Sequence, residues 1–103
     1  MVNDYLNIIK ELKSELSEDG FIIEGVFGSR VREDYTEISD LDILYEIEKN
    51  FRDKYKGFKA IARIDNIRDF LSAQLNVNVD LVQKSTLNPI GRKYILPELV
   101  NVR

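Results

Sequence analysis

The chain contains no cysteine, no histidine and no tryptophan in 103 residues, and only two prolines. Without cysteine there is no disulfide framework, no thiolate nucleophile and no thiolate metal site. Without histidine, the side chain most used for proton transfer near neutral pH is missing, and so is the commonest zinc ligand. No apolar run approaches the ~20 residues that a membrane span needs. The opening MVNDYLNIIKELKSEL lacks the basic lead, apolar centre and small-residue cleavage site of a secretory leader. A basic excess is lacking too: 15 Lys and Arg against 18 Asp and Glu give a net charge of −3, which argues against a dedicated binder of nucleic-acid backbone. These absences predict a cytoplasmic protein that makes no use of a membrane. They leave carboxylates, hydroxyls, lysine, arginine and a hard metal ion as the means for any catalysis. A composition that is 44% hydrophobic and 32% charged, at this length, fits one globular domain over residues 1–103 with a single core.

Residues 4–18 read as a helix, because Tyr5, Ile8, Ile9, Leu12 and Leu16 recur at spacings of three and four; Asp19-Gly20 closes it. FIIEGVF (21–27) is the expected first strand, broken by Gly28-Ser29, with a short helix beginning near residue 29. LDILYEIE (41–48) alternates as a second strand, with Leu41, Ile43, Tyr45 and Ile47 on one face and Asp42, Leu44, Glu46 and Glu48 on the other. The charged stretch 49–56 reads as a solvated loop. Between Gly57 and Asn76, Phe58, Ile61, Ile64, Ile67, Phe70, Leu71 and Leu75 form a helical stripe. VNVDLVQ (77–83) is a third strand. Asn88-Pro89 marks a helix start, with asparagine as cap and proline in the first helical position, and the helix should stop before Pro97. The aromatics Tyr5, Phe21, Phe27, Phe58 and Phe70 read as core. The order predicts an α/β or α+β sandwich with helices over one sheet face. If the second and third strands are neighbours, Asp40, Asp42 and Asp80 converge on the other face.

Any one part of that cluster is weak evidence. With 18 acidic residues in the chain, an i, i+2 acidic pair arises easily, and Glu46/Glu48 is a second one; a solvated strand face accounts for either. Gly28-Ser29 taken alone is a strand-to-helix turn with serine as N-cap. Arg30 and Arg32 taken alone are solvated helix residues. Together they point further. Aspartate is disfavoured in strands, yet Asp42 and Asp80 both sit inside one. Three carboxylates without nitrogen or sulfur ligands suit Mg²⁺ or Mn²⁺, and the cation would relieve their mutual repulsion. A glycine lets the backbone approach a phosphate, amides at a helix start point their N–H groups at an anion, and the Ser29 hydroxyl can donate to one. Arg30 and Arg32 could add positive charge to a triphosphate site.

Gly28-Ser29, ten residues, Asp40-Leu41-Asp42, then Asp80 on a following strand: this series resembles the minimal nucleotidyltransferases (MNT domains) of the DNA polymerase beta superfamily. The resemblance extends over nearly the whole chain, including LNPIGRKYILPELV near the C-terminus. One departure is Glu33, where many relatives carry glycine or another small residue. The resemblance implies a small mixed sheet of three to four strands, with helices on one face and the carboxylates on the other. It implies that Asp40 and Asp42 bind two Mg²⁺ ions, that Asp80 shares one and helps deprotonate the acceptor, and that Gly28 and Ser29 grip the β- and γ-phosphates of ATP. The implied reaction is transfer of AMP with release of pyrophosphate. Stand-alone members are similar to antitoxins paired with a HEPN-domain toxin, which implies a hydroxyl of that partner, that of a tyrosine, as acceptor. The alternative is a non-catalytic antitoxin that neutralises its partner by binding alone.

Overall fold

The computed structural model of the chain describes residues 2–102. Helix α1 (Val2–Glu18) buries Ile9 and Leu16, two turns apart, and packs Tyr5, Leu6, Ile8 and Leu12 beside them. It ends where Gly20 adopts φ +85°, a left-handed conformation that glycine takes without a Cβ penalty. Strand β1 (Phe21–Phe27) follows, then the short helix α2 (Ser29–Arg32) and strand β2 (Leu41–Ile47). Helices α3 (Lys49–Lys54) and α4 (Phe58–Leu75) lead to β3 (Val79–Gln83), and α5 (Pro89–Ile95) leads to the two-residue β4 (Val100–Asn101).

The sheet order is β3-β2-β1-β4. β1 runs antiparallel to both β2 and β4, whereas β2 and β3 are parallel. Two parallel neighbours need a crossover connection, and α3 and α4 supply it. The main core lies between α1, α3, α4 and one sheet face, around Ile9, Phe21, Ile43, Phe51, Ile67 and Leu71, all essentially inaccessible. Phe21 stacks on Tyr45 with ring centroids 4.6 Å apart. Leu44 and Phe27 are buried outside this cluster, on the opposite face that alternation along the strands requires.

Several elements differ from the sequence expectation. The charged stretch after β2 is not a loop but α3, held by one fully buried side chain, Phe51, whose ring meets that of Tyr55 at 4.9 Å. Phe58, expected in the core, is 89% exposed, and Phe70 also lies at the surface. The reason is phase. At 3.6 residues per turn, a run spaced strictly by three walks around the helix, so Phe58 falls about half a turn away from Ile67. The buried positions of α4 are Ile67, Leu71 and Leu75, four apart. Asn88 caps α5 as expected, its Oδ1 accepting from the Gly91 amide at 2.8 Å. Pro97 is accommodated in a 3₁₀ turn, Leu96–Glu98, after α5 has stopped.

Asp19 joins three helices. Its carboxylate accepts from Lys54 (2.8 Å), Tyr55 (3.0 Å) and Arg63 (3.0 Å), while its side chain is only 10% exposed. Burial works to raise this carboxyl, but the hydrogen bonds from Lys54, Arg63 and Tyr55 outweigh it and hold it below the usual range. A depressed carboxylate stabilises the fold at neutral pH, and that contribution is lost as pH falls through the folded-state value. Asp19→Asn is therefore expected to cost about 1–3 kcal/mol at pH 7, with the penalty shrinking below pH ~4. Urea unfolding at the two pH values measures it, and an equal penalty at both contradicts the assignment.

Candidate active site

The site forms where three chain segments meet at one end of the sheet. In the β2–β3 register Asp42 lies directly beside Asp80, and in the β1–β2 register it lies opposite Phe27. Asp42 therefore shares its face with Phe27 and Leu44, both buried, and is itself only partly accessible; Asp40 and Asp80 are exposed. Burial first, then the charges of Asp80 and Asp40, push the Asp42 carboxyl up to about 6, with Arg32 acting weakly in the opposite direction. Two acidic neighbours thus act on the partly buried Asp42, and Arg32 offsets them only in part.

Gly28 closes the site from the β1 side. It has φ +91° and ψ −166°, a region essentially reserved for glycine. A Cβ at this position would overlap Asp42 Oδ2 and stand 3.0 Å from Asp42 Cγ. The missing side chain is what allows the turn to lie against the carboxylate. Gly28 also occupies the cap of α2, and no side chain caps that helix, so Ser29 is not the N-cap that an isolated Gly-Ser pair suggests. The amides of Val31 and Arg32 turn back onto the Gly28 carbonyl at 3.1 and 3.0 Å. Those of Ser29 and Arg30 lie outside that pair of bonds.

The two arginines part company. Arg32 pairs with Asp34 (3.2 Å) and Glu98 (3.0 Å) at the surface. Arg30 turns towards the segment that precedes β2, donating to the Ser39 and Glu37 carbonyls. That engagement left no trace in the sequence, since it depends on a loop folding back over nine residues. The second acidic pair is also resolved. Glu46 accepts from Gln83, the Ser85 amide and the Ile47 amide; burial opposes ionisation, but these bonds hold Glu46 below the usual carboxylate range. Glu46 fastens the far end of β3, a structural role.

Glu33 ends α2 in the left-handed region, φ 66° and ψ 22°. A residue with a Cβ pays about 1–2 kcal/mol there, partly offset because glycine loses more entropy on folding. Glu33→Gly is expected to raise stability by about 0.5–1 kcal/mol, measured by denaturant unfolding; a loss of stability contradicts it.

Among the described residues no three acids are gathered tightly enough to cage a cation unaided. The donor set still fits one. Mg²⁺ typically takes one or two carboxylates and completes its shell with water and substrate phosphates, not with an all-protein cage. The upward push on Asp42 by its acidic neighbours is the repulsion such a cation would remove.

A mixed sheet thus sets two carboxylates side by side, with a glycine turn against one of them. The chain belongs to the nucleotidyltransferase domain family, which matches residues 6–102, and it is a nucleotidyltransferase. It is 36% identical over 97 residues to the protein adenylyltransferase MntA of Thermococcus cleftensis, covering 93% of this chain and 90% of that protein. A Methanocaldococcus jannaschii chain named for the same activity is 33% identical over 103 residues, covering 98% of this chain and 97% of that one. A solved structure named for the minimal nucleotidyltransferases superposes with a TM-score of 0.67 at 30% identity, over 94% of this chain and 92% of that one.

Proposed function

We propose that the chain is a Mg²⁺-dependent adenylyltransferase that moves AMP from ATP onto a hydroxyl of a partner protein. The acceptor is a tyrosine of a HEPN-type toxin, and the chain serves as its antitoxin. The observation that carries the chemistry is the placement of Asp42 beside Asp80 with the Gly28 backbone pressed against it. The names of the relatives support AMP as the group transferred and a protein as the target.

In this reading Gly28 and Ser29 hold the β- and γ-phosphates through backbone amides and the Ser29 hydroxyl. Arg32 adds charge at the rim. Asp40, Asp42 and Asp80 would hold Mg²⁺ together with the phosphate oxygens. When bound, the metal supplies neutralisation of the charge that builds on the entering and leaving oxygens. The acceptor oxygen attacks the α-phosphorus in line with the α–β bridge; the new O–P bond forms as the bridge breaks, and pyrophosphate departs. Asp80, the exposed member of the strand pair, takes the hydroxyl proton. Such a reaction depends mainly on positioning and electrostatics, which suits a site without histidine or cysteine.

The test is incubation with α-labelled ATP, Mg²⁺ and the product of the adjacent gene. Label on a partner tyrosine, abolished in an Asp40→Asn/Asp42→Asn variant, is the expected result. No label, with neutralisation undiminished in that variant, would instead establish an antitoxin acting by binding alone.

A further inference from the structure

We propose that Arg30 is a positioning residue that fixes the direction of Asp40, and not a ligand of the nucleotide phosphates. The assignment deepens the nucleotidyltransferase reading above and rests on it for its catalytic meaning. Asp40 belongs to no regular element; it lies between α2 and β2 at the end of an exposed segment, residues 33–40. That segment has few internal ties. The Ser39 amide donates to the Thr36 carbonyl at 3.1 Å, and the Thr36 amide donates to Ser39 Oγ at 3.0 Å. Such a turn holds its own shape but does not anchor itself to the body of the protein.

Arg30 provides the anchor. Its Nε donates to the Ser39 carbonyl at 2.7 Å and its Nη2 to the Glu37 carbonyl at 3.3 Å, so one edge of the guanidinium grips two main-chain oxygens. Nη1 donates to the Tyr5 hydroxyl on α1 at 3.2 Å, and the Tyr35 ring lies 4.6 Å from the guanidinium carbon. On the other side of Asp40, the Leu41 amide donates to the Asn78 carbonyl at 2.8 Å. The peptide planes before and after Asp40 are therefore both fixed, one by Arg30 and one by the β3 entrance. Since planar peptides leave only two soft dihedrals per residue, fixing both planes sets where the Asp40 side chain leaves the backbone. A lysine could keep the charge but not the two-pronged grip.

Two measurements on the full chain test this, using Arg30→Lys and Arg30→Ala. The first is backbone ¹⁵N relaxation without nucleotide. Order parameters at Ile38, Ser39 and Asp40 are expected to fall from about 0.85 towards 0.6 in both variants, with Ile43 and Tyr45 unchanged. The second is calorimetric titration with ATP, in EDTA and in Mg²⁺. Metal-free affinity is expected to stay within about twofold, whereas the Mg²⁺-dependent gain shrinks at least tenfold, with lysine no better than alanine. A phosphate ligand would behave in the opposite way: a large loss in EDTA, substantial rescue by lysine and an unchanged loop. Unchanged order parameters overturn the proposal whatever the titration shows. If Arg30→Ala does not fold, Arg30→Lys carries both measurements. A parent chain that binds no ATP refutes the catalytic reading while the relaxation data still decide the anchoring.

Discussion

Asp42→Asn is expected to abolish nucleotidyl transfer, by about 10²–10³-fold or more, and at the same time to make the ligand-free protein more stable. The two effects share a cause. The folded-state value of Asp42 lies near 6, against 3.8 for the unconstrained acid, because burial and then Asp80 and Asp40 disfavour its charge. A carboxyl raised in the folded state binds more protons folded than unfolded between those values, so stability falls as pH rises through this window. Above pH 6 the native protein carries the full penalty; below about pH 4 it carries none. A shift of this size corresponds to about 3 kcal/mol, which solvent screening at a partly open site reduces to about 1–2 kcal/mol. Asparagine keeps the shape and removes the charge, so Tm at pH 7.5 should rise by about 5–10 °C. That gain should close as pH approaches 4. Adding Mg²⁺ and ATP should reverse the order, because only the parent gains from binding. Thermal scans across pH, with and without ligand, read all three; a variant less stable than the parent at pH 7.5 refutes the account.

Gly28→Ala is expected to be as damaging by a different route. The added methyl meets the Asp42 carboxylate, and the backbone stands at φ +91°, where a Cβ is strained whatever the space. The strain amounts to about 1–3 kcal/mol. The turn and the carboxylate cannot both keep their places, and displacement of a reacting group by about 1 Å costs on the order of 10²-fold in rate. Because the clash is with one named side chain, it should be partly relieved when that side chain is removed. In a double-mutant cycle, Gly28→Ala should destabilise an Asp42→Ala background less than it destabilises the parent, the coupling expected of groups in contact. Equal destabilisation in both backgrounds, or more than half of the activity retained in Gly28→Ala, argues against this geometry.

How much of this was legible in the sequence depends on how local the cause was. The first helix, the three main strands, the Asn88-Pro89 helix start and the break at Gly28 follow from periodicity and turn chemistry within a few residues, and each lies where the pattern put it to within a residue or two. Asp42 and Asp80 were readable as aspartates on the strand faces opposite the apolar set, and their adjacency needed only that those strands be neighbours. What was not legible came from tertiary context. Helix α3 has one buried apolar residue, Phe51, too few for a periodic signal. Phe58 looked like core because a spacing of three imitates a stripe over two turns and fails over three. β4 is two residues long and exists because the β1 edge is there to receive it. The roles of Arg30 and Glu46 depend on which carbonyls or amides the fold brings to them, and no residue type announces that.

The parallel pairing of β2 with β3 has a consequence for the order of events in folding. The β1–β2 hairpin brings the Gly-Ser turn and the paired aspartates together from adjacent sequence. Asp80 joins them only after the chain has crossed through α3 and α4, and such distant contacts form late because loop closure must precede them. A molecule with its hairpin made and its crossover open would hold the Gly28 turn near Asp42 but leave Asp80 apart from both. On the proposed role of Asp80 as acceptor of the hydroxyl proton, activity on refolding would return no sooner than the β2–β3 pairing, behind the hairpin.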